Sequence, residues 1–271
     1  AGSVSLTNAA GAKVDSSATA KATATEGAAD ATGWLGQGGK AGDGVVIGQL
    51  ANSGTGNSQA TLTNRGTVNL LAGATAIGDA AHASAAINSA VWQAANSTTA
   101  MVLAGGSGHV SFVNSATSTA ANTPSFTIAA KAVATGNSND AGAVAAVNEG
   151  IYQSAHAYSA NHDASASLTN DGSISVSADA QAIASTSAAA NASINDALHQ
   201  FAQANNGAAS VELKNNSGAT IGISATATAK GDSASSASTL SLVPAAVGED
   251  SGEANATITG AIYQAAFANG E

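Results

Sequence analysis

Two short markers alternate strictly along the 271-residue chain, and this alternation limits the fold more than any other feature. The first is an apolar residue, then Thr or a similar residue, then Asn. It reads SLTN to Asn8, TLTN to Asn64, SFVN to Asn114, SLTN to Asn170 and ELKN to Asn215. The second is a Gln preceded by apolar residues and usually an aromatic, at Gln49, Gln93, Gln153, Gln200 and Gln264. Five alternating pairs divide the chain into units of about 54 residues, a period that suits one solenoid coil or two smaller ones.

Behind each Asn marker runs a period-two pattern. After Asn170 the residues Ile174, Val176, Ala178, Ala180, Ala182 and Ala184 alternate with polar positions. Val68, Leu70, Ala72, Ala74 and Ala76 do so after Asn64, and Ile221, Ile223, Ala225, Ala227 and Ala229 after Asn215. The first unit has Val14, Ala18, Ala20, Ala22 and Ala24, and the third Ile128, Ala130, Ala132 and Ala134. Alternation of this kind places one face of a strand inward and the other in water. Alanine favours helix, but a helix would scatter the intervening Ser, Thr and Asp around its circumference. The strands taper from β-branched residues to Ala, so a second layer must pack very close to them. The Gln segments carry apolar groups at both parities and read as strands covered on both faces. In the last copy Ile258, Gly260, Ile262 and Gln264 share one parity, opposite Ala261, Tyr263, Ala265 and Phe267.

Amides at fixed places in such a repeat have a physical use. Stacked coils bring equivalent residues about 4.8 Å apart, where Asn or Gln side chains can bond up and down the stack. The ladder set expected on this basis is Asn8, Asn64, Asn114, Asn170 and Asn215 with Gln49, Gln93, Gln153, Gln200 and Gln264. Asn also tolerates left-handed backbone, so Asn-x-Gly suits a tight arc between strands. The rival reading makes these ordinary hairpin turns in an antiparallel meander. The fold class expected is an all-β solenoid resembling a parallel β-helix, with residues 1–271 forming a single repetitive domain.

Composition bears on what covers and surrounds such a fold. Charged residues are 9 % and aromatics 3 %, so hydroxyls and amides must clothe the surface, and the hydrophobic 44 % is mostly Ala. Scarce large apolar residues also favour disorder, but here they recur at fixed places and Pro occurs only at Pro124 and Pro244. The absence of Cys rules out disulfides and thiolate metal sites. A net charge of −10 opposes binding to nucleic acid and to anionic membrane surfaces, and no apolar run approaches the roughly 20 residues of a membrane span.

The two ends join in phase. Placing the start of the chain after its end gives a Gln-to-Asn spacing of 15 residues, matching 15, 21, 17 and 15 inside. No polar capping element is evident at either end. This predicts a window of a longer array or chains stacked head to tail, so the expected partner is a second copy of the chain.

Sites of other chemistry read weakly. His199 takes the place held by Trp92, Tyr152 and Tyr263, which marks it as a residue of the repeat, and His156 and His162 beside Asp163 lack a metal-binding spacing. The segment Gly36–Gly44 departs from both phosphate-loop and calcium-repeat patterns and reads as a loop. Acidic clusters at Glu249, Asp250 and Glu253, and at Asn139 and Asp140, sit in polar connections; calcium is the one cofactor weighed for them, with solvated loop favoured. No cluster of carboxylates or bases supports catalysis, and the chain reads as a non-enzyme with no cofactor.

The segments LTNRGTV and LTNDGSI resemble the repeats of bacterial surface proteins of the autotransporter and filamentous-adhesin kind. The segment NATITGAIYQAAFANG is similar, more faintly, to curli fibre repeats, in which Gln and Asn lie five residues apart, as Gln264 and Asn269 or Gln200 and Asn205 do here. These resemblances imply an extracellular, bacterial cell-surface role as a filament subunit or adhesin stalk. The competing function is a module that binds carbohydrate, such as surface polysaccharide, or ice through a flat Thr/Ser/Asn face.

Overall fold

A computed structural model describes residues 1–36, 45–54, 56–97, 106–115, 123–231, 235–239, 244–249 and 252–269; for 235–239, 244–249 and 252 only the backbone is described. Most of the Gly36–Gly44 segment, Asp250 and Thr98 lie outside these residues.

The period-two segments form strands. The chain runs through β1 (Gly2–Asn8), β2 (Lys13–Thr23), β3 (Ala28–Leu35) and β4 (Val45–Ser53), then β5 (Ser58–Asn64), β6 (Thr67–Gly78), β7 (Ala80–Ile87) and β8 (Ser89–Ser97). It continues through β9 (Gly108–Asn114), β10 (Ser125–Gly136), β11 (Ala141–Val147) and β12 (Ile151–Ala160), then β13 (Ala164–Asn170), β14 (Ser173–Ile183), β15 (Ala188–Asn195) and β16 (Leu198–Asn205). The last pass is β17 (Ala209–Asn215), β18 (Thr220–Lys230), β19 (Ser235–Thr239), β20 (Pro244–Glu249), β21 (Gly252–Thr259) and β22 (Ile262–Asn269).

Up to β18 every fourth strand returns to the same sheet. The four sheets are ordered β1-β5-β9-β13-β17, β2-β6-β10-β14-β18-β20, β19-β21-β15-β11-β7-β3 and β22-β16-β12-β8-β4. All the pairings are parallel, so the architecture is that of a β-solenoid or β-helix, and the hairpin-meander alternative is overturned. Consecutive strands turn a corner and move to a neighbouring sheet, which a two-residue hairpin could not do.

Register aligns the markers. Asn8, Asn64, Asn114, Asn170 and Asn215 stand opposite one another at the ends of the first-sheet strands. Gln49, Gln93, Gln153, Gln200 and Gln264 do so in the fourth sheet. The second and third sheets face each other through the small residues, with Ala72, Ala74 and Ala76 buried in the same core as Ala81, Ala83 and Ala85. Branched and aromatic residues such as Leu70, Ile87, Phe112, Ile128 and Ile151 fill the wider middle. A smaller cluster of Ala60, Ala95, Val110, Ala155 and Ala202 closes the first sheet on the fourth.

Three expectations are corrected. The Gln strands are not covered on both faces: Ile151, Gln153, Ala155 and Ala157 are buried, whereas Tyr152 and His156 are half-exposed and Tyr158 is exposed. The shared parity of Ile258 and Ile262 was misleading, because a corner at Gly260 (φ 62°) places them in separate strands, β21 and β22. Nor do the marker Asn residues use left-handed backbone; among the described non-glycine residues only Asn161, Asp196 and Asn206 do. The Gly of Asn-x-Gly has a steric reason instead. A Cβ on Gly66 would lie 2.1 Å from the Ala12 carbonyl oxygen, and one on Gly172 would lie 2.1 Å from that of Pro124.

Candidate functional site

Strand ends and strand middles hold two continuous amide ladders inside the protein. At the corner between the first and second sheets, Asn8 Nδ2 donates to Asn64 Oδ1 at 2.8 Å, Asn64 to Asn114 at 2.8 Å, Asn114 to Asn170 at 2.7 Å, and Asn170 to Asn215 at 2.7 Å. The second Nδ2 hydrogen of each goes to a backbone carbonyl of the following layer, those of Thr67, Ser125, Ser173 and Thr220 in turn. Asn64, Asn114 and Asn170 are fully buried. Such burial is tolerable only when every donor finds an acceptor.

In the fourth sheet the direction reverses. Gln93 Nε2 donates back to Gln49 Oε1 at 2.7 Å, Gln153 to Gln93 at 3.0 Å, Gln200 to Gln153 at 2.8 Å, and Gln264 to Gln200 at 2.7 Å. The other Nε2 hydrogen crosses the interior to a carbonyl of the next first-sheet strand, from Gln49 to Thr61, Gln93 to Ser111, Gln153 to Ser167, and Gln200 to Glu212. These carbonyl bonds fix which end of each amide carries nitrogen, so the polarity of both ladders is set by the backbone.

Opposed polarity makes the two ends of the stack complementary. At the β1–β4 end the Asn ladder finishes on an acceptor, Asn8 Oδ1, and the Gln ladder on a donor, Gln49 Nε2, with one hydrogen beyond its bond to Thr61. At the β17–β22 end the Asn ladder finishes on a donor, Asn215 Nδ2, which turns back to the Ala219 carbonyl at 3.0 Å. The Gln ladder finishes there on an acceptor, Gln264 Oε1.

Both ends also expose apolar residues that internal layers bury. Leu6 is 46 % exposed, whereas its register partner Leu62 is 2 % exposed and Leu168, farther along the same row, 1 %. Ile262 is 45 % exposed against 2 % for its partner Leu198. A recess lined by Leu6, Val14, Ile47, Leu62 and Val68 opens at the β1 end. It is the cross-section of the core.

Sequence reasoning missed a further amide row at the corner between the third and fourth sheets, where Asn195 donates to Asn148 and Asn148 to Asn88. Its signal was available, as Asn follows an apolar residue five residues before Gln93, Gln153 and Gln200. On the outer surface of the fourth sheet Trp92, Tyr152, His199 and Tyr263 stand in one row. Tyr152 to His199 and His199 to Tyr263 are 4.8 and 4.6 Å between ring centres, tilted by 32° and 36°, so these three rings lean on one another along the row.

The remaining candidate residues stay apart from any common centre. His156 bonds Ser154 Oγ through Nε2 at 2.7 Å and packs on Tyr158 and Phe201. Burial lowers its pKa, with the Gln203 amide acting the opposite way. The Asp79 carboxylate accepts from the Gly27 N–H and the Ser138 hydroxyl, which hold its pKa down. Asp140 accepts from Thr186, and Glu253 from Asn255. Among the described residues no three metal-ligating side chains converge, and no helix is long and apolar enough to cross a membrane.

The sequence matches no protein-family model, no curated protein and no solved structure.

Proposed function

We propose that this chain is an extracellular structural subunit of a bacterial cell-surface filament or adhesin stalk. It is built as five imperfect repeats of about 54 residues and assembles head to tail by β-stacking. The observation that carries this reading is the opposed polarity of the two buried ladders. A second copy seated in the same orientation lets Asn215 Nδ2 donate to its Asn8 Oδ1 and lets its Gln49 Nε2 donate to Gln264 Oε1. A copy seated in reverse would meet acceptor with acceptor and donor with donor. The exposed Leu6, Val14 and Ile262 would be buried by the same contact, and the Ala-lined interior would continue through the seam.

The work of such a subunit is mechanical. Parallel backbone pairing along the axis and dry packing of small residues across it give stiffness and resistance to proteases. The structural reading is favoured over ligand binding by the aromatic row, in which Tyr152, His199 and Tyr263 pack on one another. The outer face of the second sheet likewise mixes Thr75, Val133, Gln181 and Thr228 at one register position, which breaks any regular Thr lattice.

Electron microscopy of the purified 271-residue chain without ligand tests the proposal. Unbranched rods with an axial repeat of about 24 Å, five strand spacings of 4.8 Å, are expected. Particles that stay single at every concentration and salt would overturn head-to-tail assembly.

A further inference from the structure

The connection between the second and third sheets is short everywhere but once. Four residues or fewer separate β2 from β3, β6 from β7, β10 from β11 and β14 from β15, whereas residues 231–251 separate β18 from β21. The chain uses this excursion to build outward. After β18 it lays β19 on the free edge of β21, then β20 on the free edge of β18, before β21 itself resumes the third sheet. Two of the four sheets therefore extend one strand farther than the others at this end. The first and fourth sheets stop at β17 and β22.

The positions taken are those a second copy needs. In a head-to-tail seam its β1 and β4 pair with β17 and β22, while its β2 and β3 pair with β18 and β21. β20 and β19 already hold the last two places, and a strand standing about 4.8 Å proud of its neighbours keeps all four pairings from closing together. The cover is also the weaker partner. β20 makes six register pairs with β18 and β19 five with β21, whereas β2 makes eleven with β6 and β3 eight with β7. Pro244 opens β20, the outermost strand of its sheet, and proline is tolerated in sheets mainly at such edges. Natural sheet edges are blocked by such short, proline-bearing strands.

We infer that β19 and β20 form a displaceable gate on end-to-end assembly, occupying the seats of β3 and β2 of a second copy. The inference rests on the head-to-tail reading. A closed gate holds assembly back; displacement frees the edges of β18 and β21 to join those of β17 and β22, and the longer strands of the incoming copy hold them.

Three forms of the full protein test it by sedimentation velocity and electron microscopy over time. These are the unaltered chain, a variant lacking residues 232–251, and a Thr226→Cys, Ala245→Cys variant whose disulfide ties β20 to its register partner on β18. The natural sequence has no cysteine, so the lock is the sole thiol chemistry present. The deletion is expected to form rods without a lag and at a concentration at least tenfold below that required by the unaltered chain. The oxidised lock is expected to stay single, and reduction to restore the unaltered rate. Equal assembly of the deletion and the unaltered chain would overturn the gate while leaving end-to-end stacking in place. A deletion variant that keeps its β-sheet circular dichroism and cooperative melting but forms no rods would overturn the stacking itself. Should the deletion fail to fold, the lock decides: equal, measurable assembly before and after reduction overturns the gate.

Discussion

At the scale of single residues, the protein buries amides where most folds bury hydrocarbon. Gln153 donates to Gln93 and Ser167 and accepts from Gln200, with no exposed surface. Gln153→Ala strands three buried polar groups, and each orphan costs about 1–3 kcal/mol, so a loss of about 3–5 kcal/mol is expected in urea unfolding. Gln264→Ala, at the exposed terminus of the same ladder, is expected to cost about 1 kcal/mol or less. Gln93→Glu replaces a donor by a carboxylate facing the Gln49 and Ser111 oxygens, and burial raises the pKa of that carboxyl. The variant is therefore most stable at low pH, where the protonated acid still donates one hydrogen, and loses stability as pH rises through the raised value.

His156 shows the opposite sense. Its folded pKa is depressed from the ordinary 6.5, first by burial, so the fold favours the neutral ring. The stability this contributes is present above the unfolded value and is lost as pH falls through the folded one. A decline in melting temperature below about pH 6.5 is expected, and His156→Gln is expected to flatten it. The depressed Asp79 carboxylate keeps its own contribution above its ordinary 3.8 and loses it only in stronger acid, which separates the two by pH.

Between elements, spacing is set by alanine on the inside and by backbone contact at the corners. Ala180 is fully buried between the closely packed second and third sheets. Ala180→Leu is expected to cost about 1–3 kcal/mol or more by overpacking, while a change at the outward neighbour Gln181 should stay within about 0.5 kcal/mol. Chemical denaturation of the two variants checks the contrast. Gly172→Ala presses a methyl group onto the Pro124 carbonyl and should destabilise the corner without disturbing φ, since Gly172 is not among the left-handed residues. A Gly172→Asn variant, which relieves left-handed strain elsewhere, gives no rescue here.

For the whole molecule, stability is graded along the axis because each layer contacts only its neighbours. Amides of β9–β14 are expected to exchange with deuterium most slowly, and those of β1, β17 and β22 most quickly, with hydrogen-exchange mass spectrometry as the check. Charge opposes growth. A chain of net charge −10 repels its copies, so raising ionic strength from about 10 mM to 0.5 M is expected to speed rod formation as the Debye length falls several-fold.

The sequence by itself determined the strands with their inward Ala rows and the alignment of Asn with Asn and Gln with Gln. Periodicity reports which face is buried, and a repeated amide reports stacking. It did not separate Ile258 from Ile262, because a corner that preserves side-chain parity looks like an uninterrupted strand. Parallel pairing, the opposed directions of the ladders and the cover formed by β19 and β20 were decided by tertiary structure alone. A side chain's letter carries no direction for its hydrogen bond; that comes from the carbonyl across the interior. β19 and β20 break the repeat, and only the edges left by β21 and β18 settle where they lie.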